Sequence, residues 1–195
     1  MPSVKHEAAH RYFSEDFTYK IRVMGVPRNG LYPLGAGRFE RLNSSKEADS
    51  AYKPLPVRSG EKDWRTIVFE SGLSESLGRL RTDAQWCLIE SKGQVNIAVL
   101  ISIIPALSAI CTEKWEPGLA ERPTTRAVSS NAQHPPQVPI CVQAINIDRN
   151  TATGAPLTLE FEKIFLRPPI LPEPDLVFTA QDLTAWANDF WAGVQ

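Results

Sequence analysis

Cysteine is scarce: Cys87, Cys111 and Cys141 are the three in 195 residues, spaced too widely for a small disulfide scaffold or a CxxC metal knuckle. A reducing, intracellular setting, cytoplasmic or nuclear, is therefore the simplest expectation. Long apolar runs are also missing. The longest, Val95 to Leu107, is broken by Asn96, Ser102 and Pro105 and falls short of the ~20 residues a spanning helix needs, so no membrane partner is expected. Neither sign of charge dominates: 21 Lys and Arg stand against 22 Asp and Glu, and a net charge of -1 supplies no global pull toward nucleic acid. Any phosphate contact has to be local. The GxGxxG, Walker A and GxSxG patterns are absent, which removes the usual signatures of dinucleotide enzymes, P-loop ATPases and serine hydrolases.

Histidine is rare too. His134 falls in a loop-like stretch, and His6 and His10 lie in a polar N-terminus that lacks the apolar core of a signal peptide. A metal site there would need ligands from elsewhere, so both histidines are expected to be solvated, a zincin-type site is not expected, and residues 1–16 read as a flexible lead-in.

What is present describes an ordinary globular chain, 43% apolar and 22% charged, of a size that suits a single domain over 1–195. Sixteen prolines against eleven glycines act as punctuation. The longest proline-rich stretch, 116–137, is expected to be a mobile loop. Between the breaks, Phe17–Val26 and Trp64–Phe69 read as strands, and Ser74–Ser91 as a helix with Leu77, Leu80, Ala84, Cys87 and Leu88 on one face. Val95–Ile104, apolar at nearly every position, predicts a strand covered on both faces. Ala109–Glu116, Ile140–Asp148 and Leu157–Leu166 follow as strands. A C-terminal helix from Thr179 carries the stripe Leu183, Trp186, Ala187, Phe190 and Trp191. The expected fold class is α/β, with a mixed central sheet flanked by helices.

The stretch able to carry chemistry runs from Lys46 to Asp83. Asp49 lies in KEADSAYKP, Glu70 ends the strand WRTIVFE, and the helix follows at once. Taken singly, Asp49 suits a turn and Glu70 a strand-end carboxylate. The order of acidic residue, strand with a second acidic residue, helix and buried strand resembles the core of the PD-(D/E)XK nuclease superfamily, in its restriction-endonuclease-like branch. The stretches Lys46–Pro54, Ile67–Glu70, Gly72–Ser76, Asp83–Trp86 and Phe161–Pro169 are most similar to a group of uncharacterised fungal proteins.

The resemblance implies a PD-(D/E)XK-like fold and metal-dependent phosphodiester hydrolysis of nucleic acid. Asp49 and Glu70 would hold Mg²⁺, whose charge offsets that developing on phosphate oxygens. The superfamily's lysine, two positions after the glutamate, is Gly72 here. Arg79 is the substitute cation on the helix, able to steady a phosphate but not to act as base. Glu75, Arg79 and Asp83 also share one helical face, as an ordinary ion-pair ladder would. Lys46, Lys53, Arg65 and Arg81 surround the acidic pair in sequence, and the five tryptophans read as core rather than as base-stacking platforms. Two other readings remain: a non-catalytic interaction or nucleic-acid-binding domain that keeps the nuclease-like fold, and a small-molecule enzyme using an apolar pocket elsewhere.

Overall fold

The computed structural model describes residues 4–35, 38–40, 45–73, 76–119 and 137–194, with 38–40, 45 and 46 as backbone only. Helix α1 (Val4–Val23) opens the chain, followed by strand β1 (Leu31–Pro33), the short hairpin β2 (Arg38–Glu40) and β3 (Ser45–Glu47), and strands β4 (Ser50–Pro54) and β5 (Ile67–Leu73). Helix α2 (Leu77–Glu90) leads to β6 (Ile97–Ile104), β7 (Ala109–Leu119), β8 (Gln137–Ile147) and β9 (Ala152–Thr153). The chain ends with β10 (Leu157–Leu159), the short helix α3 (Phe161–Phe165), β11 (Leu176–Phe178) and α4 (Ala180–Gly193).

Seven strands form one mixed sheet in the order β1-β4-β5-β6-β7-β8-β9, and β10 pairs with β11 beside it. Among the described residues only β5 and β6 run parallel, and α2 is the crossover that such a pair requires. β6 is buried along nearly its whole length because helices cover the sheet on both sides. On one face α1 and α4 pack Phe13, Phe17, Trp186 and Phe190 against Phe69, Val99 and Ile101. On the other, α2 packs Leu80, Ala84 and Leu88 against Val68, Ala98 and Leu100. The mixed α/β sheet flanked by helices is thus the fold class expected from the sequence. Among the described residues no helix is long and apolar enough to cross a membrane.

The N-terminus departs from expectation. Residues 4–16 form the first turns of α1 rather than a flexible lead-in, and Phe17–Val23 continues the helix instead of forming a strand. Tyr19, Ile21 and Val23 alternate as a strand would, but Tyr19 and Val23 are exposed at 67% and 68%. The series that decides is Ala9, Phe13, Phe17 and Ile21, four apart and buried. Burying each phenylalanine contributes about 1.5–3 kcal/mol, enough to override the alternation.

Leu157–Leu166 is likewise not one strand. After β10, Phe161, Ile164 and Phe165 bury their side chains at helical spacing, and the Phe161 and Phe165 rings stack at 4.4 Å. Leu166, at φ 55°, closes that helix in the left-handed region. The Trp64–Phe69 strand is shifted to Ile67–Leu73.

Of the expected 116–137 loop, Glu116–Leu119 belongs to β7 and Gln137 to β8, while 120–136 and His134 lie outside the described residues. Pro117 and Pro139 face each other where β7 and β8 run past the end of β6. Each strand there has lost its outer partner, so a missing amide proton leaves no ladder bond unmade.

Candidate functional site

β4 and β5 are antiparallel, with Ser50 opposite Phe69. Asp49 lies one residue before β4, in a bend, and bonds to Ser71, the residue that follows Glu70 on β5. Glu70 shares the face of Val68, on the α2 side, whereas Asp49 turns its carboxylate to Ser71 and to His6 of α1. The two acidic residues named from the sequence are therefore brought together.

Asp49 is tightly held. Its Oδ2 accepts the Ser71 backbone N–H at 2.7 Å and the Ser71 hydroxyl at 3.1 Å. His6 Nε2, from α1, lies 3.1 Å from the same oxygen. With three donors on Oδ2, a cation would be met by Oδ1. Burial works to raise the Asp49 pKa, but the His6 and Ser71 hydrogen bonds outweigh it and hold the carboxyl below its ordinary range. His6 is raised, first by its hydrogen bond to Asp49 and further by the fields of Asp49, Glu7 and Glu70. Glu70 itself is 4% exposed.

Gly72 stands two positions after Glu70, where the resemblance would place a lysine, and its surroundings explain more than the sequence could. A Cβ there would collide with the Ser76 hydroxyl and lie 3.4 Å from Leu80. Ser76 Oγ is in turn held by the Leu73 carbonyl at 2.6 Å. The start of α2 fills the space into which a lysine would leave the strand.

The other sequence candidates disperse. Arg79 is 84% exposed and turns along the helix toward Asp83 at 4.0 Å, which is the ion-pair ladder and not the acidic pair. Arg81 forms a two-pronged bond to Glu113, at 2.5 and 3.0 Å, and Glu113 also accepts Trp115 Nε1–H at 2.9 Å. Lys53 is buried and donates to the Gly60 carbonyl at 2.5 Å. Arg65 is buried as well. Glu75, Ser74 and the Lys46 side chain lie outside the described residues. Trp186 and Trp191 are core, and Trp64 and Trp86 lie against each other at 6.3 Å between ring centroids. An apolar recess of about 510 Å³, lined in part by Val26, Leu55, Val57 and Phe165, lies at the opposite end of β4 from Asp49. Its cation, Arg167, is held by both oxygens of Glu173 at 2.6 and 2.7 Å.

Sequence reasoning missed the histidines of α1. Far from being solvated, His6 is in the site and His10 is 5% exposed, its Nδ1 2.9 Å from Ser50 Oγ. The signal was in plain view: residues 6–10 read HEAAH, the H-E-x-x-H pattern, and the apolar series starting at Ala9 marks the helix that places both rings on one face.

No protein-family model matches the chain, nor does any curated protein. Among solved structures the fold is similar to that of a candidate nuclease belonging to DUF820 from Anabaena variabilis ATCC 29413. The TM-score is 0.51 at 15% identity, over 96% of this chain and 84% of that one. A likeness at that identity establishes the fold, a nuclease-like mixed α/β sheet, and leaves the chemistry to the residues.

Proposed function

We propose that this protein is a metal-dependent phosphodiesterase acting on nucleic acid, with Asp49 and Glu70 as ligands of Mg²⁺. The observation that carries the reading is the clamp at the start of β4: Asp49 is held through Oδ2 by His6 and by Ser71, the residue that follows Glu70 on β5. Their all-oxygen donor set suits a hard divalent cation. The nuclease-like neighbour and the strand, helix and buried-strand order support it. When bound, the cation would polarise a phosphoryl oxygen and acidify its water.

The chain's own contribution is orientation. Ser71 and His6 fix the Asp49 carboxylate, His6 through its Nε2. Arg79 takes no part in this, because it points to solvent.

The closed space at Gly72 favours a second reading, a nucleic-acid-binding or interaction domain that keeps the fold without the chemistry. Calorimetric titration of Mg²⁺ and Mn²⁺, followed by plasmid nicking, separates the two. The expected result is binding and nicking by the wild type, with nicking at least 100-fold lower in Asp49→Asn and Glu70→Gln. A folded wild type that binds neither metal and leaves the plasmid intact overturns the first reading in favour of the second.

A further inference from the structure

The first turns of α1 hold a second cluster, which shares with the acidic pair only His6, whose Nε2 meets Asp49 while its Nδ1 faces the cluster. Glu7 lies between two imidazoles: its Oε1 is 3.7 Å from His6 Nδ1, and its Oε2 is 3.5 Å from His10 Nε2. One ligand atom from each of the three residues falls within 4.8 Å of the other two. Ligands bound tetrahedrally at about 2.1 Å stand about 3.4 Å apart, so the carboxylate already sits near the required distance from each ring nitrogen. We propose that His6, Glu7 and His10 form a binding site for a transition-metal ion of the Zn²⁺ class, distinct from the oxygen-only Mg²⁺ site.

The second nitrogen of each ring supports this assignment. His6 Nε2 faces Asp49 Oδ2 at 3.1 Å, and His10 Nδ1 faces Ser50 Oγ at 2.9 Å. When those nitrogens carry the protons, His6 Nδ1 and His10 Nε2 present lone pairs toward Glu7. A carboxylate or hydroxyl behind a metal-binding imidazole, fixing its tautomer and angle, is the usual outer shell of such sites. Here both outer partners are consecutive residues at the start of β4, so one strand end orients both rings. The H-E-x-x-H spacing supplies the shared face, but the Glu7 carboxylate lies between the rings as a third ligand rather than standing apart as a base.

Chemistry selects the ion. Two imidazoles with one carboxylate favour Zn²⁺, Co²⁺ or Ni²⁺ over Mg²⁺. The positive end of α1 opposes a cation, and Glu7 with the nearby Asp49 supplies the compensating charge. Arg11 lies 3.3 Å from Glu7 and is 72% exposed, so it can swing into solvent as the ion enters. With three protein ligands, the fourth position is left to water or a ligand oxygen.

The full chain, stripped with EDTA, is titrated with Co²⁺, and the visible d–d absorption is followed. The expected result is one Co²⁺ per chain with the intense bands of a low-coordinate site, displaced by stoichiometric Zn²⁺ and untouched by excess Mg²⁺. Glu7→Gln and His6→Asn should each weaken binding at least 10-fold, and Ser50→Ala by about 10-fold while leaving circular dichroism unchanged. Glu70→Gln should keep the Co²⁺ bands, even where it abolishes nicking. A folded wild type that gives no bands, or bands that survive in Glu7→Gln and His6→Asn, overturns the proposal. So do bands lost only in Glu70→Gln, which would assign the ion to the oxygen site.

Discussion

In two of the places where it gathers charged groups out of full solvent, the protein follows opposite rules. Beside α3, Lys114 and Lys163 alternate with Glu116 and Glu160 in a closed ring. Lys114 reaches Glu116 and Glu160 at 2.7 Å each, and Lys163 reaches them at 2.6 and 3.2 Å. Two cations meet two anions, and the ring joins β7 to the segment leading into α3. At the other place, carboxylates Asp49, Glu70 and Glu7 meet two imidazoles whose charge depends on pH. A ring balanced within the protein stabilises a fold. An acid-rich cluster with titratable bases leaves room for an outside cation, which is what a catalytic or metal-binding site needs.

The largest effect that tests this contrast is Lys114→Met. Lys114 is 5% exposed, and removing it leaves two carboxylates to share one lysine, a broken buried network that costs about 3–5 kcal/mol. The expected fall in Tm is roughly 10 °C, with nicking per folded molecule and Co²⁺ binding unchanged. Asp49→Asn should do the reverse: a change within about 1 kcal/mol in metal-free protein, because an amide oxygen still accepts from Ser71, but lost nicking. Equal Tm losses in the two variants, by calorimetry, would remove the distinction between ring and site.

Gly72 gives the next smaller effect. Gly72→Ala pushes a methyl group into the Ser76 hydroxyl and should cost about 1–3 kcal/mol. Ser76→Gly in the same chain should recover most of that loss in a denaturant midpoint. On that relieved background, Gly72→Lys restores the superfamily's pattern, and a rise in nicking rate is expected. If the double variant with lysine folds and nicks no faster, the missing lysine is not what limits this site.

How much of this was legible beforehand follows from what each signal reports. Val95–Ile104 was readable because continuous apolarity over a short run has one structural meaning, burial on both faces. The Asp49–Glu70 juxtaposition was readable only through resemblance, since neither residue is distinctive alone. α1 was misread because Tyr19, Ile21 and Val23 imitate a strand while the deciding helical series begins ten residues earlier, at Ala9, in a stretch that looks polar. With the helix went HEAAH, whose meaning depends on a helical backbone. Arg79 was over-read: sequence spacing put it near the acidic pair, but the turn of α2 faces it outward. The occlusion at Gly72 was out of reach, because it depends on where the Ser76 hydroxyl lands.

The smallest effect separates the two places by their pH windows. In the ring, burial opposes ionisation, but hydrogen bonds from Lys114 and Lys163 hold Glu160 below its ordinary 4.5, and bonds to Glu116 and Glu160 hold Lys163 above its ordinary 10.5. A lowered acid stabilises above its unfolded pKa and a raised base below its own, so the contributions of Glu160 and Lys163 are both complete from about pH 4.5 to 10.5. Around Asp49 the window is narrower. The contribution of His6 is complete below pH 6.5 and is lost as pH rises through its raised value, while that of Asp49 is complete above 3.8 and is lost as pH falls through its lowered one. Proton NMR of the two imidazoles in EDTA should therefore show His6 titrating above 6.5 and His10, which burial lowers, below it. In Asp49→Asn the His6 midpoint should fall, because the hydrogen bond and charge that raise it are gone. Coincident midpoints in the wild type would mean that the carboxylate does not hold the imidazole.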